Sequence, residues 1–301
     1  MFNNLNLSKK FNIFLIVIFI SGLVISGTAL SAILNQKAEH EVTSRANLLM
    51  ATMISVRKYT QTQVNPQLAP KIETEEQFIP QTVPAYSARE VFEDFRTNSE
   101  YQNFFYKEAT LNPTNLRDKA DNFETELVEK LRKNPNLQEL TGYRPLSSGQ
   151  VFYIARPIAI KDQNSLRCHS SPEAAPKSQI ATYGDQNGFG WKLNEIVSAQ
   201  IVSVPAKDVL DEAKRSFLLI MGIVAAAFAI AILITNIFLK QTVIRPIKRM
   251  VSVANEISTG NMDADFSHKY QDEIGMLATA FNRMKISIAM AMNMLKQNRG
   301  S

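Results

Sequence analysis

Thiols are nearly absent: Cys168 is the one cysteine among 301 residues. This excludes an intrachain disulfide and any zinc site built from several thiolates. Charge is missing from two stretches, since residues 11–34 and 216–239 hold no Asp, Glu, Lys or Arg. No Walker-type phosphate loop occurs. The one G-x-G, Gly188-Phe189-Gly190, does not continue into a dinucleotide fingerprint. Low-complexity tracts are also lacking. The charge that is present sums to +5. Residues 35–215 carry 22 basic and 23 acidic side chains, whereas residues 240–301 carry nine and five. The basic excess therefore flanks the apolar runs. That placement suits a membrane surface and disfavours nucleic acid. The length allows about two domains.

The uncharged runs read FNIFLIVIFISGLVISGTALSAIL (11–34) and SFLLIMGIVAAAFAIAILITNIFL (216–239). About 20 helical residues cross a hydrocarbon core, so each run is long enough. Backbone polar groups in lipid must pair internally, which makes each a helix. The alternative for the first run is a cleaved signal peptide, with Lys9 and Lys10 as its basic start and Ala29-Leu30-Ser31 as its cleavage site. An apolar signal core usually has about 7–15 residues, so a retained span is expected. Lys9 and Lys10 precede the first span, and Lys240, Arg245, Lys248 and Arg249 follow the second. The positive-inside rule then puts both ends in the cytoplasm and residues 35–215 outside the plasma (inner) membrane, in the periplasm where there is one.

In the tail, Val243, Ile247, Met250, Ala254 and Ile257 step by fours and threes, as in a coiled-coil seam. Gly260-Asn261 stops this helix. After a polar connector that includes His268, read as a solvated residue, Asp272-Glu273 opens a second helix where its dipole favours negative charge. Ile274, Leu277, Phe281, Met284, Ile288, Ala291 and Leu295 form its seam. Pro246 in the first helix, Gly260 after it and Asp272-Glu273-Ile274-Gly275 at the second make residues 242–295 resemble a HAMP domain. The resemblance implies a homodimer through a parallel four-helix bundle that relays motion from the membrane. The expected organisation is a cytoplasmic N-terminus (1–10), a first span (11–34), an external domain (35–215), a second span (216–239), HAMP (240–295) and a tail (296–301). Few residues follow Leu295, so a separate kinase or regulator is expected to act in trans, and the chain is not expected to be an enzyme.

In the external segment, residues 35–66 read as a helix ending near Pro66, and residues 67–86 as a loop. Ser87-Ala88-Arg89-Glu90 has the form of a capping box. A charged amphipathic helix is expected at about 116–133. Two β-rich stretches follow, from Val151 to Ile158 and from Glu195 to Pro205. Helices feeding a small antiparallel sheet predict an α+β, PAS-like fold.

The chemistry is expected at Ser165-Leu166-Arg167-Cys168-His169. A c-type haem site is C-x-x-C-H, with two thioethers and an axial histidine. Here Ser165 stands at the first cysteine position. A free cysteine beside a histidine is the plain alternative. The stretches YKEATLNPTNLRDKADNFE (106–124), YIARPIAI (153–160), CHSSPEAAP (168–176) and YGDQNGFGWKLNEIVSAQIVSVP (183–205) resemble a cyanobacterial family of periplasmic PAS-like, c-type haem domains. The likeness spans most of 45–205. It implies redox or gas sensing, Cys168 as a single thioether in haem c (or a non-covalent haem) and His169 as the proximal metal ligand. In that family a cysteine of the N-terminal helix can supply the sixth ligand. This chain has none, so Met53 or Met50 is the candidate there, with interface packing as the alternative. His40 and Tyr59 are weaker choices. Arg57 and Arg156 are candidate propionate partners, or else hold internal carboxylates. The expected function is a membrane sensor of redox state, gas or a small ligand. The alternatives are an anchored electron carrier and a sensor that has lost haem.

Overall fold

The computed structural model describes residues 6–147, 149–267 and 272–299. His268 lies outside them, as does the side chain of Leu295. The chain divides into two units, Ala32–Ser216 and a second made of Met1–Ser31 with Phe217–Ser301.

In the first unit, four antiparallel strands form one sheet in the order β1-β4-β3-β2. They are β1 (Phe105–Thr110), β2 (Leu140–Leu146), β3 (Gly149–Ala159) and β4 (Ile196–Pro205). Both faces of the sheet are covered, so central β4 is buried at nearly every position, its polar Ser198, Gln200 and Ser203 included. Edge strand β2 tolerates Pro145, whose missing N–H would break a central ladder.

One face packs on helix α1 (Leu7–Tyr59). Its Ala38, Val42, Ala46, Leu49, Met50 and Met53 recur at helical spacing and meet Phe152, Ile154, Val202 and Val204. Helix α2 (Asn65–Thr74) follows, and helix α3 (Pro84–Phe95) adds Ala88 and Phe92 to this core. Helix α4 (Asn122–Lys133) covers the other face, setting Leu127, Val128 and Leu131 on Ala109, Ala155, Ala199 and Ile201. Each such large side chain contributes about 1.5–3 kcal/mol when fully buried.

Several sequence expectations shift. The helical path passes Pro66, because the turn Thr60–Val64 before it is wider than an α-helical turn. Helix α3 starts at Pro84 rather than behind Ser87, whose Oγ donates to Gln81 O (3.3 Å). The capping box of this domain is Asp121 with Glu124, and it starts α4, while 116–118 form a separate 3-10 turn. Between β3 and β4 lie two short helices, α5 (Gln163–His169) and α6 (Lys177–Tyr183).

In the second unit, α1 and helix α7 (Lys207–Leu239) each contain a segment long and apolar enough to cross a membrane, with mean hydropathy 2.6 and 3.0. Phe19 stacks on Phe228 at 5.0 Å. Helix α8 (Arg245–Ser258) and helix α9 (Glu273–Arg299) enclose Met250, Val253, Ile257, Phe266 and Ala278. Asp272 caps α9 by accepting from Gly275 N (2.9 Å). The buried stripe of α8 contains Val253, which the seam pattern missed. Leu277, Met284 and Ile288 of the expected α9 seam are 41%, 48% and 41% exposed.

Candidate functional site

Helix α5 carries the haem-like motif. Asp162 caps it by accepting from Asn164 N (2.9 Å), and His169 is its last residue. The His169 Nδ1 lies 2.8 Å from Gly188 O and 3.3 Å from Thr114 Oγ1. A carbonyl can only accept, so Nδ1 carries the proton. Burial holds the imidazole below its usual pKa, against the pull of the Gly188 hydrogen bond, which leaves it neutral. The ring stacks on Trp191 at 3.9 Å. The loop that supplies Gly188 is pinned from both sides. Gly188 N donates to Asn112 Oδ1 (3.1 Å), and Asn112 Nδ2 donates to Phe189 O (3.2 Å). Gly190 N and Trp191 N donate to Ser170 O and His169 O. His169 thus fastens α5, the 112–114 turn and the 188–191 loop together.

Cys168 is half-buried, and burial pushes its thiol up despite Arg167. It is a protonated thiol at neutral pH, not an activated nucleophile.

The haem expectation, whether haem c through Cys168 or non-covalent haem, is corrected. Cys168 is the one thiol, and Ser165 at the other motif position cannot form a thioether with a vinyl group. Among the described residues, no three His, Cys, Asp or Glu side chains group so as to hold a metal ion. Met53 and Met50 pack into the apolar core with Phe92, Ile154 and Val202. Arg156 donates to Glu139 Oε2 and to Asn47 Oδ1 (both 3.1 Å), and Arg57 pairs with Glu108. Both arginines hold internal groups.

Arg57 leads to a buried polar network that the sequence reading missed. Tyr106 and Glu108, two apart on β1, face α1 together with Gln200 of β4, which is the register partner of Glu108. Tyr106 Oη donates to Glu108 Oε1 (2.6 Å), and Gln200 Nε2 donates to Tyr106 Oη (3.0 Å). Burial and the Glu108 charge raise the Tyr106 phenol far above its usual range. Burial alone would lower the Arg57 guanidinium, but Glu108 and Tyr106 outweigh it and keep the cation. A second pair joins Arg89 of α3 to Asp118 at 2.8 Å. Burial raises the Asp118 carboxyl, with Arg89 pulling the other way and the Glu108 charge adding to the rise. Arg89 Nε and Glu90 Oε1 are buried without a hydrogen-bond partner and stand 3.6 Å apart. The segment Phe105-Tyr106-Lys107-Glu108-Ala109-Thr110 offers no clear signal, because its apolar and polar residues do not alternate.

Comparison with known proteins places these features. A family model described as Tll0287-like matches residues 35–205, and a HAMP domain model matches residues 238–289. Neither is a kinase catalytic domain. The sensor histidine kinase WalK of Bacillus subtilis (strain 168) is 30% identical over 127 residues, covering 41% of this chain and 20% of that protein. The methyl-accepting chemotaxis protein TlpA of the same organism is 29% identical over 113 residues, covering 37% and 16%. The sensor protein kinase WalK of Staphylococcus haemolyticus (strain JCSC1435) is 24% identical over 184 residues, covering 56% and 30%. The chain thus spans less than a third of the length of these relatives. A solved structure titled as that of the cyanobacterial heme-protein Tll0287 is 12% identical with a TM-score of 0.36, covering 52% of this chain and 94% of its own. The HAMP match implies a membrane-associated signalling context. With more than half of its length matched by one model, the chain belongs to the Tll0287-like family and carries a HAMP domain after that sensor domain.

Proposed function

We propose that this chain is a two-span membrane receptor whose external domain, residues 35–215, senses a small ligand without haem and signals through HAMP. The observation that carries the reading is the order of parts. A sensor-family domain lies between two helices long and apolar enough to span a membrane, and a HAMP domain follows the second. Lys9, Lys10 and the Lys240–Arg249 cluster orient both spans with their basic ends in the cytoplasm. Residues 11–34 and 216–239 are the spans, and 240–295 form the cytoplasmic relay. Leu277, Met284 and Ile288, exposed in a single chain, support pairing of two copies through the HAMP helices. A separate kinase or regulator receives the signal. The kinase and chemotaxis relatives support that class of partner. The electron-carrier reading needs haem and falls with it.

Paired reporter fusions test the topology. A periplasm-active reporter fused at residue 120 and a cytoplasm-active reporter fused at residue 290 should both be active. Cytoplasmic activity at residue 120 would overturn the receptor.

A further inference from the structure

The sequence Gln-Thr-x-x-x-Pro occurs twice, at Gln61–Pro66 and at Gln241–Pro246. The structure builds both the same way. A five-residue turn, Thr60–Val64 or Lys240–Ile244, is wider than an α-helical turn. The residue before each proline bonds five back, Asn65 N to Thr60 O and Arg245 N to Lys240 O. In each, the threonine Oγ1 donates to the carbonyl four back, Lys58 O (2.9 Å) or Phe238 O (2.8 Å).

Proline explains the coincidence. It has no N–H, and in an α-helix its ring would clash with the carbonyl four residues earlier, here Thr62 or Thr242. Widening the turn by one residue relieves that crowding. The widened turn therefore holds one residue more than the α-helix it interrupts.

We infer that the Lys240–Ile244 turn is a register device that sets the rotational phase of α8 relative to α7. Closing it into a regular α-turn returns one residue to the helix and rotates everything downstream by about 100°. The buried stripe of α8 is Met250, Val253 and Ile257. A one-residue slip brings the exposed Arg249, Ser252 and Glu256 to that face. The widened form thus suits a packed HAMP core, and the closed form loosens it. Pro246 holds the widened form as the resting one. The device stands on the geometry of this turn. Its signalling consequence rests on the membrane-to-HAMP relay proposed above.

Copper binding to paired histidines in the full chain, reconstituted in lipid vesicles, reads the turn directly. Residues five apart lie about 140° apart around an α-helix, whereas the five-back hydrogen bond of the widened turn brings them together. Lys240→His with Arg245→His should bind Cu2+ at least about tenfold more tightly than either single variant. Adding Pro246→Ala should abolish that advantage. No advantage with Pro246 present, or an advantage unchanged by Pro246→Ala, overturns the inference. A second readout uses single cysteines at positions 249 and 250 in a Cys168→Ser background. Crosslinks between copies should favour 250, should favour 249 after Pro246→Ala, and should return to 250 when Ile244 is also deleted. An unchanged preference after Pro246→Ala overturns the rotation. No crosslink at either position in the parent would count against the dimer, while the copper result still judges the turn.

Discussion

Glu108→Ala should destabilise the sensor domain by about 3–5 kcal/mol, the cost of removing one partner from a buried ion pair. Glu108 is nearly fully buried and accepts from both Arg57 and Tyr106. Without it the Arg57 cation is left in a low-dielectric site, and the Tyr106 hydroxyl loses its acceptor. Combining Glu108→Ala with Arg57→Met should recover most of the loss, since the uncompensated charge is then gone. Urea unfolding followed by the fluorescence of Trp191, the one tryptophan, measures both. A loss below about 1 kcal/mol for Glu108→Ala would show that the pair is solvated and does not organise the α1 face of the sheet.

Gly188→Ala should cost about 2–6 kcal/mol, because two penalties of about 1–3 kcal/mol each coincide. The backbone there has φ +84°, which disfavours any L side chain. An added Cβ would also lie 2.0 Å from Thr114 Oγ1 and 2.7 Å from Thr114 Cα, so backbone must move. Gly190 isolates the first penalty: its φ is +80°, but a Cβ there meets nothing within 4 Å. Gly190→Ala should therefore cost about 1–3 kcal/mol. Only Gly188→Ala should also shift Trp191 emission, because the loop that stacks Trp191 on His169 is displaced. Equal losses at the two glycines, with unchanged emission, would contradict the role given to His169 as the fastener of that loop.

The parts of the fold that local patterns encode were legible in the sequence. The apolar runs at 11–34 and 216–239 lie within α1 and α7. Pro246, Gly260 and Asp272-Glu273 marked the HAMP helices, because kinks, stops and helix starts each depend on a few neighbouring residues. What failed was whatever depends on distant partners. Strand β1 went unread because Lys107 and Glu108 break its apolar pattern. Lys107 is answered by Glu124 at 2.7 Å, and Glu108 by Arg57, 51 positions away in sequence. Strand β2 hid behind Gly142 and Pro145, which an edge position tolerates. The same limit applied to the site. Adjacency of Cys168 and His169 suggested a metal ligand pair. His169 is held by Gly188, Thr114 and Trp191, which come from two other segments, and the polar network of Arg57, Tyr106, Glu108 and Gln200 is assembled from three elements.

The proposed haem-free working of this Tll0287-like sensor domain has a direct spectral consequence. The most direct measurement is an absorption spectrum of the full-length protein, produced with cytochrome c maturation and excess haem supply, with haem staining after denaturation. The purified protein should show no Soret band and no stained chain. A stoichiometric Soret band, or haem that stays on the denatured chain through Cys168, would contradict the haem-free working.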